Sequence, residues 1–302
     1  MKNKKIFVVA TLLLCLTLAV GFGGCAVTAK VGSLDKATSL PVGSDGLIRV
    51  LQLTDLHLTT AGVNKQDKQT LKWVKEAVKF ADADVVAVTG DMVGGMGTGR
   101  NQAVIAVANI FEKAEVYWMY TFGNHDGEWS NALKTQVGKV DGIEGREEIF
   151  DLLKGYKYSL MRRGDTDGVG NYVVDFVGAD GKTKYAMVNM DTHGKSYDKN
   201  GKDIGYLGLK SGQIEWYKRE MTALTSRSGG GEIAKSSLFM HVPLSEYIDA
   251  YANFGHVGSF AEINLENKVF APSLEQNNGF FGVIKAMQST ELITVGHDHD
   301  FN

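Results

Sequence analysis

The sequence predicts an α/β fold, and two observations indicate it. Short apolar runs alternate with segments in which apolar residues recur at helical spacing. Strand, helix, strand, helix, strand in that order is typical of a parallel sheet with crossover helices. The chain of 302 residues is 44% hydrophobic and 22% charged. This composition provides enough apolar surface for a large core and excludes a disordered chain.

The first half of the chain supplies the predicted parallel sheet. The run 47–53 is apolar and ends in polar residues, as a buried strand does before a loop. Leu71, Val74 and Val78 lie at helical spacing and predict an amphipathic helix over 68–81. Because parallel strands end at the same edge of a sheet, a ligand site is expected at that edge. Further strands are predicted at 85–88 and 116–122, with a helix at 101–113.

The second half predicts strands of mixed direction. Residues 172–177 and 184–190 are joined through Asp180 and Gly181, which predicts an antiparallel hairpin. The Gly- and Asn-rich segment 247–278 predicts no regular element. The remaining predictions are helices at 146–154 and 211–224 and strands at 237–240 and 291–295.

The N-terminus has the pattern of an export signal. Residues 1–5 (MKNKK) precede an apolar run over 6–20, and small residues follow. The box GGC that ends at Cys25 resembles the cleavage site of bacterial lipoproteins, which implies a signal peptide over 1–24 and a membrane-anchoring lipid on Cys25. Cleavage after Ala29, giving a secreted protein, and a retained membrane anchor remain alternatives. We therefore expect an exported protein of the cell envelope.

Two further segments are expected after the signal peptide. Residues 25–46 mix small and polar residues without a sustained period, as a tether does, and the folded domain is predicted over 47–302. Both cysteines, Cys15 and Cys25, precede this domain, so it contains neither a disulfide nor a thiolate ligand. The formal charge is −3, from 32 basic and 35 acidic residues. This balance gives no reason to expect a nucleic-acid partner.

Polar clusters follow five of the predicted strands. Each cluster is a weak signal on its own, because a carboxylate can cap the next helix and a single His is more often a satisfied core residue. Two residues at i and i+2 of an extended segment share a side, so such a pair can hold one metal ion. Five of the seven histidines lie in these clusters. The clusters are Asp55-x-His57, Gly90-Asp91, Gly123-Asn124-His125-Asp126, His241 and Gly296-His297-x-His299.

Taken together, the clusters predict a metal site with nitrogen and oxygen ligands. Such ligands without sulfur suit Mn, Fe or Zn. The candidate ligands are too many for one tetrahedral ion, and they fit two divalent or trivalent ions if one carboxylate bridges. These candidates are Asp55, His57, Asp91, Asn124, His241, His297 and His299.

The ordered blocks DLH, GD, GNHD, H and GHDH resemble the calcineurin-like metallophosphoesterase superfamily. Gly94 stands where purple acid phosphatases carry a Tyr, and His57 supplies an imidazole that they lack. The segment MHVPLSEY around His241 is closer to the single-domain phosphatases related to purple acid phosphatases. The resemblance implies a two-sheet β-sandwich flanked by helices. Strands normally follow the last block in that superfamily, so we expect that the chain lacks its C-terminal strands and is a truncated piece.

The resemblance also implies a role for each site residue. The residue matching His125 is not a ligand and acts as proton donor or charge stabiliser near the phosphate, and the residue matching Asp126 orients it. The hydroxide that attacks the phosphate is held between the two metals. The first metal is implied at Asp55, His57, Asp91 and His299, and the second at Asp91, Asn124, His241 and His297, with Asp91 bridging.

The expected function is hydrolysis of a phosphate ester, in the first place a phosphomonoester. The substrate is expected to be a phosphorylated small molecule or protein. One alternative is a phosphodiesterase that acts on nucleotides or lipid headgroups. Another is a non-catalytic binding module of the envelope on the same fold. The complete ligand set argues against this module, because buried charges and imidazoles without a use are costly.

Overall fold

The computed structural model describes residues 38–94, 99–130, 135–136, 142–254 and 278–298. The strands are β1 (Thr38–Pro41), β2 (Val50–Leu53), β3 (Val85–Thr89), β4 (Tyr117–Thr121), β5 (Trp129–Ser130), β6 (Thr135–Gln136), β7 (Tyr172–Val177), β8 (Thr183–Asn189), β9 (Lys195–Tyr197), β10 (Asp203–Tyr206), β11 (Lys235–Phe239) and β12 (Thr290–Thr294). The helices are α1 (Lys65–Ala81), α2 (Arg100–Ala114), α3 (Ile143–Leu153), α4 (Ser211–Arg227), α5 (Glu246–Phe254) and α6 (Phe280–Met287).

The first half of the chain forms a parallel sheet in the order β2-β3-β4. Val86 in β3 lies opposite Leu51 on one side and Trp118 on the other, and both pairings are parallel. Every residue of β3 is buried, as an uninterrupted apolar run predicts for a central parallel strand. Helices α1 and α2 connect the three strands, which confirms the predicted crossover arrangement.

A larger sheet has the order β1-β7-β8-β11-β12. Strands β7 and β8 are antiparallel, which confirms the predicted hairpin. Strand β11 runs parallel to β8 on one side and to β12 on the other. The carboxyl ends of β8, β11 and β12 therefore lie at one edge of this sheet.

The two sheets pack face to face, and helices cover their outer faces. Because side chains alternate along a strand, β3 contributes to two cores. Val85 and Ala87 pack with Met187 and Phe239 of the larger sheet. Val88, from the other face of β3, packs with residues of α1, α2 and α3. A third core lies between the larger sheet and helices α4 and α6. This arrangement confirms the predicted two-sheet sandwich flanked by helices.

Helix α1 begins and ends at residues with clear capping roles. The side chain of Asn64 accepts a hydrogen bond from the backbone N–H of Asp67 at 2.7 Å, which caps the first turn. The helix ends at Asp82, which has the left-handed conformation common after a helix. Val74 and Val78 are buried against the small sheet. Within the described ranges, every helix falls short of the length and hydropathy that a membrane span requires.

Several parts of the fold differ from the sequence-based prediction. Thr38–Pro41 falls in the predicted tether, yet it pairs in parallel with β7, and Leu40 is buried between the sheets. This strand was not predicted because four residues are too few to show a hydrophobic period, and because its partner strand β7 lies far along the chain. Strands β5, β6, β9 and β10 and helices α5 and α6 were not predicted either, although α5 overlaps the segment 247–278 that was left without an assigned element. The signal peptide, Cys25 and the tether up to residue 37 lie outside the described residues.

Candidate metal centre

The predicted polar clusters meet where the two sheets end. Each cluster follows a strand directly, and the carboxyl ends of the parallel strands lie at a common edge. The structure brings residues from both sheets to this place. Asp55, Asp91 and Asn124 follow β2, β3 and β4, whereas His241 and His297 follow β11 and β12.

Asp91 lies at the middle of the cluster and is 1% exposed. Its Oδ2 atom is 3.2 Å from Nε2 of His241 and 4.0 Å from Nε2 of His57. Its Oδ1 atom accepts a hydrogen bond of 2.8 Å from the backbone N–H of His125. Burial tends to raise the pKa of Asp91, but the charges of His241 and His125 and the hydrogen bonds from these two residues together hold that pKa below its usual value. A single carboxylate therefore lies between imidazoles from two sheets.

Asp55 connects the first and the last polar cluster. Its Oδ1 atom lies 3.6 Å from Nε2 of His57. Its Oδ2 atom accepts hydrogen bonds from the backbone N–H of His297 at 3.0 Å and from Oγ1 of Thr54 at 2.5 Å. The loop after β12 is thereby fixed to the loop after β2, although the two lie at opposite ends of the sequence.

His241 has the tautomer that suits a metal ligand. Its Nδ1 atom lies 2.8 Å from the carbonyl oxygen of Thr89, which can only accept, so Nδ1 donates. Nε2 then faces two oxygen atoms, Oδ1 of Asn124 and Oδ2 of Asp91, each at 3.2 Å. A proton or a cation is needed between these atoms. Burial opposes protonation, but Asp91 raises the pKa of His241 to about 9. A His held by a backbone carbonyl is typical of metal sites.

His297 supplies a second imidazole nitrogen, which unlike that of His241 has no hydrogen-bond partner in the part of the chain that the structure describes. Its Nε2 atom is buried and has no hydrogen-bond partner among the described residues. Burial and the nearby charge of His241 lower the pKa of His297 to about 3. The rings of His241 and His297 are 5.1 Å apart. A neutral, buried imidazole with an unsatisfied nitrogen is costly by itself, and a metal ion would satisfy it.

Two groups of side chains have the geometry for holding an ion. The ligand atoms of Asp91, His241 and His297 lie within 4.8 Å of one another, and so do those of His57, Asp91 and His125. Asp91 belongs to both groups, as expected of a bridging carboxylate. With the buried Nε2 of His297 and the fixed tautomer of His241, the described residues include candidate ligand groups that suit a site for two metal ions, and one group includes His125, which the resemblance does not make a ligand.

Four residues of the cluster have a strained backbone. Positive φ angles are uncommon for residues other than Gly, and such strain concentrates at functional sites. The surrounding contacts must hold these residues in place. The φ angles are 51° for Asp55, 45° for His57, 47° for Asp91 and 80° for His297.

Glycine is required in the polar clusters because ligands lie against its Cα atom. A Cβ atom on Gly123 would collide with Oδ1 of Asp91, and one on Gly90 would collide with the imidazole of His241. Gly90 also has a φ angle of 95°. The glycines of the GD and GNHD blocks therefore provide the space that the neighbouring ligands occupy.

The position of Asp126 corrects the prediction that it orients His125. Its Oδ2 atom accepts hydrogen bonds from the backbone N–H groups of Gly123 and Asp91, at 2.7 and 2.9 Å. Burial and the nearby charge of Asp91 raise the pKa of Asp126 to about 6. The carboxylate beside the His125 ring belongs to Glu128, with Oε2 2.9 Å from Nδ1. Asp126 thus holds the loop, and Glu128 holds the ring.

Three other residues near the site were not predicted from the sequence. Arg100 is buried and donates from Nη1 to the carbonyl oxygen of Asp126 at 2.9 Å. The ring of Tyr206 lies 4.6 Å from that of His297. His193 is buried beside Gln213. Of the residues that sequence analysis did not assign, only Glu128 could have been found from the sequence, because it is an acid three residues after His125. His299 lies outside the described residues.

A family comparison identifies the type of domain. The calcineurin-like phosphoesterase family matches residues 48–300. The uncharacterised protein C1020.05 of Schizosaccharomyces pombe is 26% identical over 272 residues, which cover 83% of this chain and 45% of that protein. This chain therefore spans less than half the length of that relative. The structure of the NAD nucleotidase NadN of Haemophilus influenzae is 15% identical with a TM-score of 0.37, covering 67% of this chain and 35% of that one.

Proposed function

The chain belongs to the calcineurin-like phosphoesterase family, and we propose that it is a metal-dependent phosphoesterase whose substrates are phosphomonoesters. The observation that carries the proposal is the position of Asp91, which is common to both groups of candidate ligands. Residues from both sheets meet at this carboxylate, and the half-buried His125 lies directly beside them.

The proposed ligands supply a site for two ions of Mn, Fe or Zn. When bound, these ions supply a Lewis acid for the phosphoryl oxygens and an activated water at neutral pH. Asp91 contributes to both sites. The further proposed ligands are Asp55, His57 and His299 for the first site and Asn124, His241 and His297 for the second.

The residues beside the ligands have their own tasks in the reaction. Oε2 of Glu128 lies 2.9 Å from Nδ1 of His125, so its negative charge favours a proton on this ring. This contact leaves Nε2 of His125 as the ring nitrogen available to the substrate. Burial tends to lower the pKa of His125, but its contact with the Glu128 carboxylate and the charges of Asp91 and Glu128 together raise it. We assign to Nε2 the donation of a proton to the leaving oxygen.

The proposal is tested by assaying the metal-loaded full chain on a generic monoester and a generic diester, p-nitrophenyl phosphate and bis-p-nitrophenyl phosphate. We expect faster hydrolysis of the monoester and loss of both activities with a chelator. His125→Ala should keep both metals and lose turnover. Preferred hydrolysis of the diester would replace the proposal with a phosphodiesterase. Full metal content without hydrolysis of either compound would indicate the non-catalytic binding module.

The N-terminal pattern supports a second proposal, that the chain is exported and lipid-anchored at Cys25. In a bacterial host fed labelled palmitate, the chain should incorporate the label. Cys25→Ser should abolish incorporation, whereas the matched Cys15→Ser should not. Unlabelled protein in the medium that begins after Ala29 would instead indicate a secreted form.

A further inference from the structure

Helix α1 carries two exposed aromatic side chains on one side. Phe80 is 93% exposed and Trp73 is 62% exposed. The two residues are seven positions apart, close to two helical turns, so they lie in one row along the helix. The opposite side of the helix is buried through Val74 and Val78. Exposed aromatic rings of this size are unfavourable in water and are frequent where a protein contacts another apolar phase.

The same helix carries a local excess of positive charge. It contains five lysines, at positions 65, 68, 72, 75 and 79, and two acids, Asp67 and Glu76. Asp67 is buried and accepts a hydrogen bond from the backbone N–H of Thr60 at 2.5 Å. Glu76 is exposed and lies 3.8 Å from Lys72. Because the whole chain has a formal charge of −3, this basic surface does not follow from the overall composition.

The aromatic row and a lysine row lie side by side. Lys65, Lys72 and Lys79 are also spaced by seven residues, and at 100° per residue this row lies about a quarter turn from Trp73 and Phe80. A flat surface laid against the helix between the two rows would touch both of them. We call these five residues the α1 face.

A cleft adjoins the α1 face. Its volume is about 530 Å³, and it lies between α1 and α2. Three lysines and one acid line it together with apolar residues such as Val78 and Ile110; these charged residues are Lys75, Lys79, Lys113 and Asp82. Ammonium groups beside an apolar floor suit an anionic headgroup with its adjoining hydrocarbon.

We propose that the α1 face docks onto the surface of an anionic lipid bilayer, with Trp73 and Phe80 at the headgroup level. Aromatic rings beside lysines are the pattern of helices that lie in a membrane interface, and each lysine near such a surface adds attraction. Charge complementarity favours this occupant over a second copy of the chain, since two α1 faces would bring their lysine rows together. The proposal is independent of the phosphoesterase activity.

The test uses quenching of tryptophan fluorescence in the full chain. Of the four tryptophans, Trp118 and Trp216 are buried and Trp129 is partly buried, so Trp73 is the most exposed reporter of contact with a bilayer. Vesicles that contain phosphatidylglycerol and brominated phosphatidylcholine should quench the emission, whereas vesicles of brominated phosphatidylcholine alone should quench it little. Trp73→Phe should remove the quenched component. Every variant keeps the same N-terminal segment, so any contribution of that segment is constant.

Charge variants decide whether the lysine row drives docking. Lys72→Gln/Lys79→Gln should weaken partitioning by roughly tenfold or more. The matched Lys218→Gln/Lys235→Gln, at exposed lysines elsewhere, should change it little. Glu76→Gln removes the exposed acid from between the rows and should strengthen partitioning. Quenching that is equal on neutral vesicles, or unaffected by the first double variant, would overturn the proposal. An emission shift that grows with protein concentration without vesicles would indicate a second copy instead.

Discussion

Oε2 of Glu128 lies 2.9 Å from Nδ1 of His125, at the rim of the proposed metal centre. The family resemblance assigns the task of orienting His125 to Asp126. The Asp126 carboxylate instead accepts hydrogen bonds from backbone N–H groups. Two carboxylates of one loop therefore have separate tasks. One fixes the course of the backbone, and the other fixes the orientation and the proton of the imidazole.

Glu128→Gln is expected to lower kcat and to leave KM nearly unchanged. The amide lacks the charge that favours a proton on His125, so the ring becomes a poorer proton donor. The loss should be roughly tenfold or more, a part of the 10²–10⁴ that a general acid supplies. Steady-state kinetics with the metal content of each variant measures the effect. Glu144→Gln, at an exposed acid of α3, is the matched control.

A double variant separates this positioning role from a general structural one. If Glu128 acts through His125, Glu128→Gln should add little to the loss already caused by His125→Ala. If the double variant instead loses kcat by the product of the two single losses, Glu128 acts independently of His125. Asp126→Asn should behave differently from both, with lower stability and lower metal content, because it weakens the contacts that shape the loop.

Asp91→Asn should remove metal from the protein as well as activity. The carboxylate is shared by both candidate groups, and an amide is a weaker ligand that cannot bridge two cations in the same way. Elemental analysis after reconstitution should find the metal content greatly reduced relative to the wild type. Asp198→Asn, in an exposed turn, is the control. Two metals retained in Asp91→Asn would contradict the central position given to this residue.

The location of the site could be predicted from the sequence because it depends on strand order. Asp55, Asp91 and Asn124 each follow a strand, and parallel strands necessarily end together. His241 and His297 follow strands of the other sheet, and they were assigned to the same centre because polar clusters with His recur after the predicted strands and because the ordered blocks resemble one family. In each case the local sequence determines which residue follows the strand. Packing of the two sheets then brings these residues close together.

The contacts made by loops could not be predicted in the same way. Which carboxylate faces His125 depends on the turn that the loop adopts, and three backbone donors compete for Asp126. The pairing of β1 with β7 depends on a strand far along the chain. Arg100 reads as a surface residue because its burial depends on the backbone carbonyl of Asp126 and on Glu148, which approach it only in the fold.

Gly123→Ala should damage the proposed metal centre without replacing a proposed ligand. The added Cβ atom collides with Oδ1 and the backbone N atom of Asp91, and this buried residue has little room to move. Overpacking of this kind typically costs about 1–3 kcal/mol. Thermal unfolding should show a lower Tm, and reconstitution should show weaker metal binding. Gly231→Ala is the matched control, since nothing lies within 4 Å of its added Cβ atom. Equal Tm values for the two variants would contradict the steric argument.

Asp191→Ala should be strongly destabilising although it lies outside the proposed ligand set. Asp191 is fully buried, and its Oδ2 atom lies 3.1 Å from Nε of the equally buried Arg146. The same carboxylate accepts hydrogen bonds from the backbone N–H groups of Val169 at 2.8 Å and His193 at 2.9 Å. Removing one partner of a buried ion pair typically costs about 3–5 kcal/mol, because the other charge loses its compensation.

The exposed pair between Arg219 and Asp165 provides the contrast for this last prediction. It has a similar distance, 2.7 Å, but both side chains are more than half exposed. Solvent and salt screen such a pair, so Asp165→Ala should change the free energy of unfolding little. Urea unfolding of the two variants measures the difference. Since α3 carries Arg146 and Asp191 follows β8, a large loss for Asp191→Ala alone would show that this ion pair holds a helix of the small sheet's outer layer to the larger sheet. A small loss would mean that the apolar core between the sheets is sufficient.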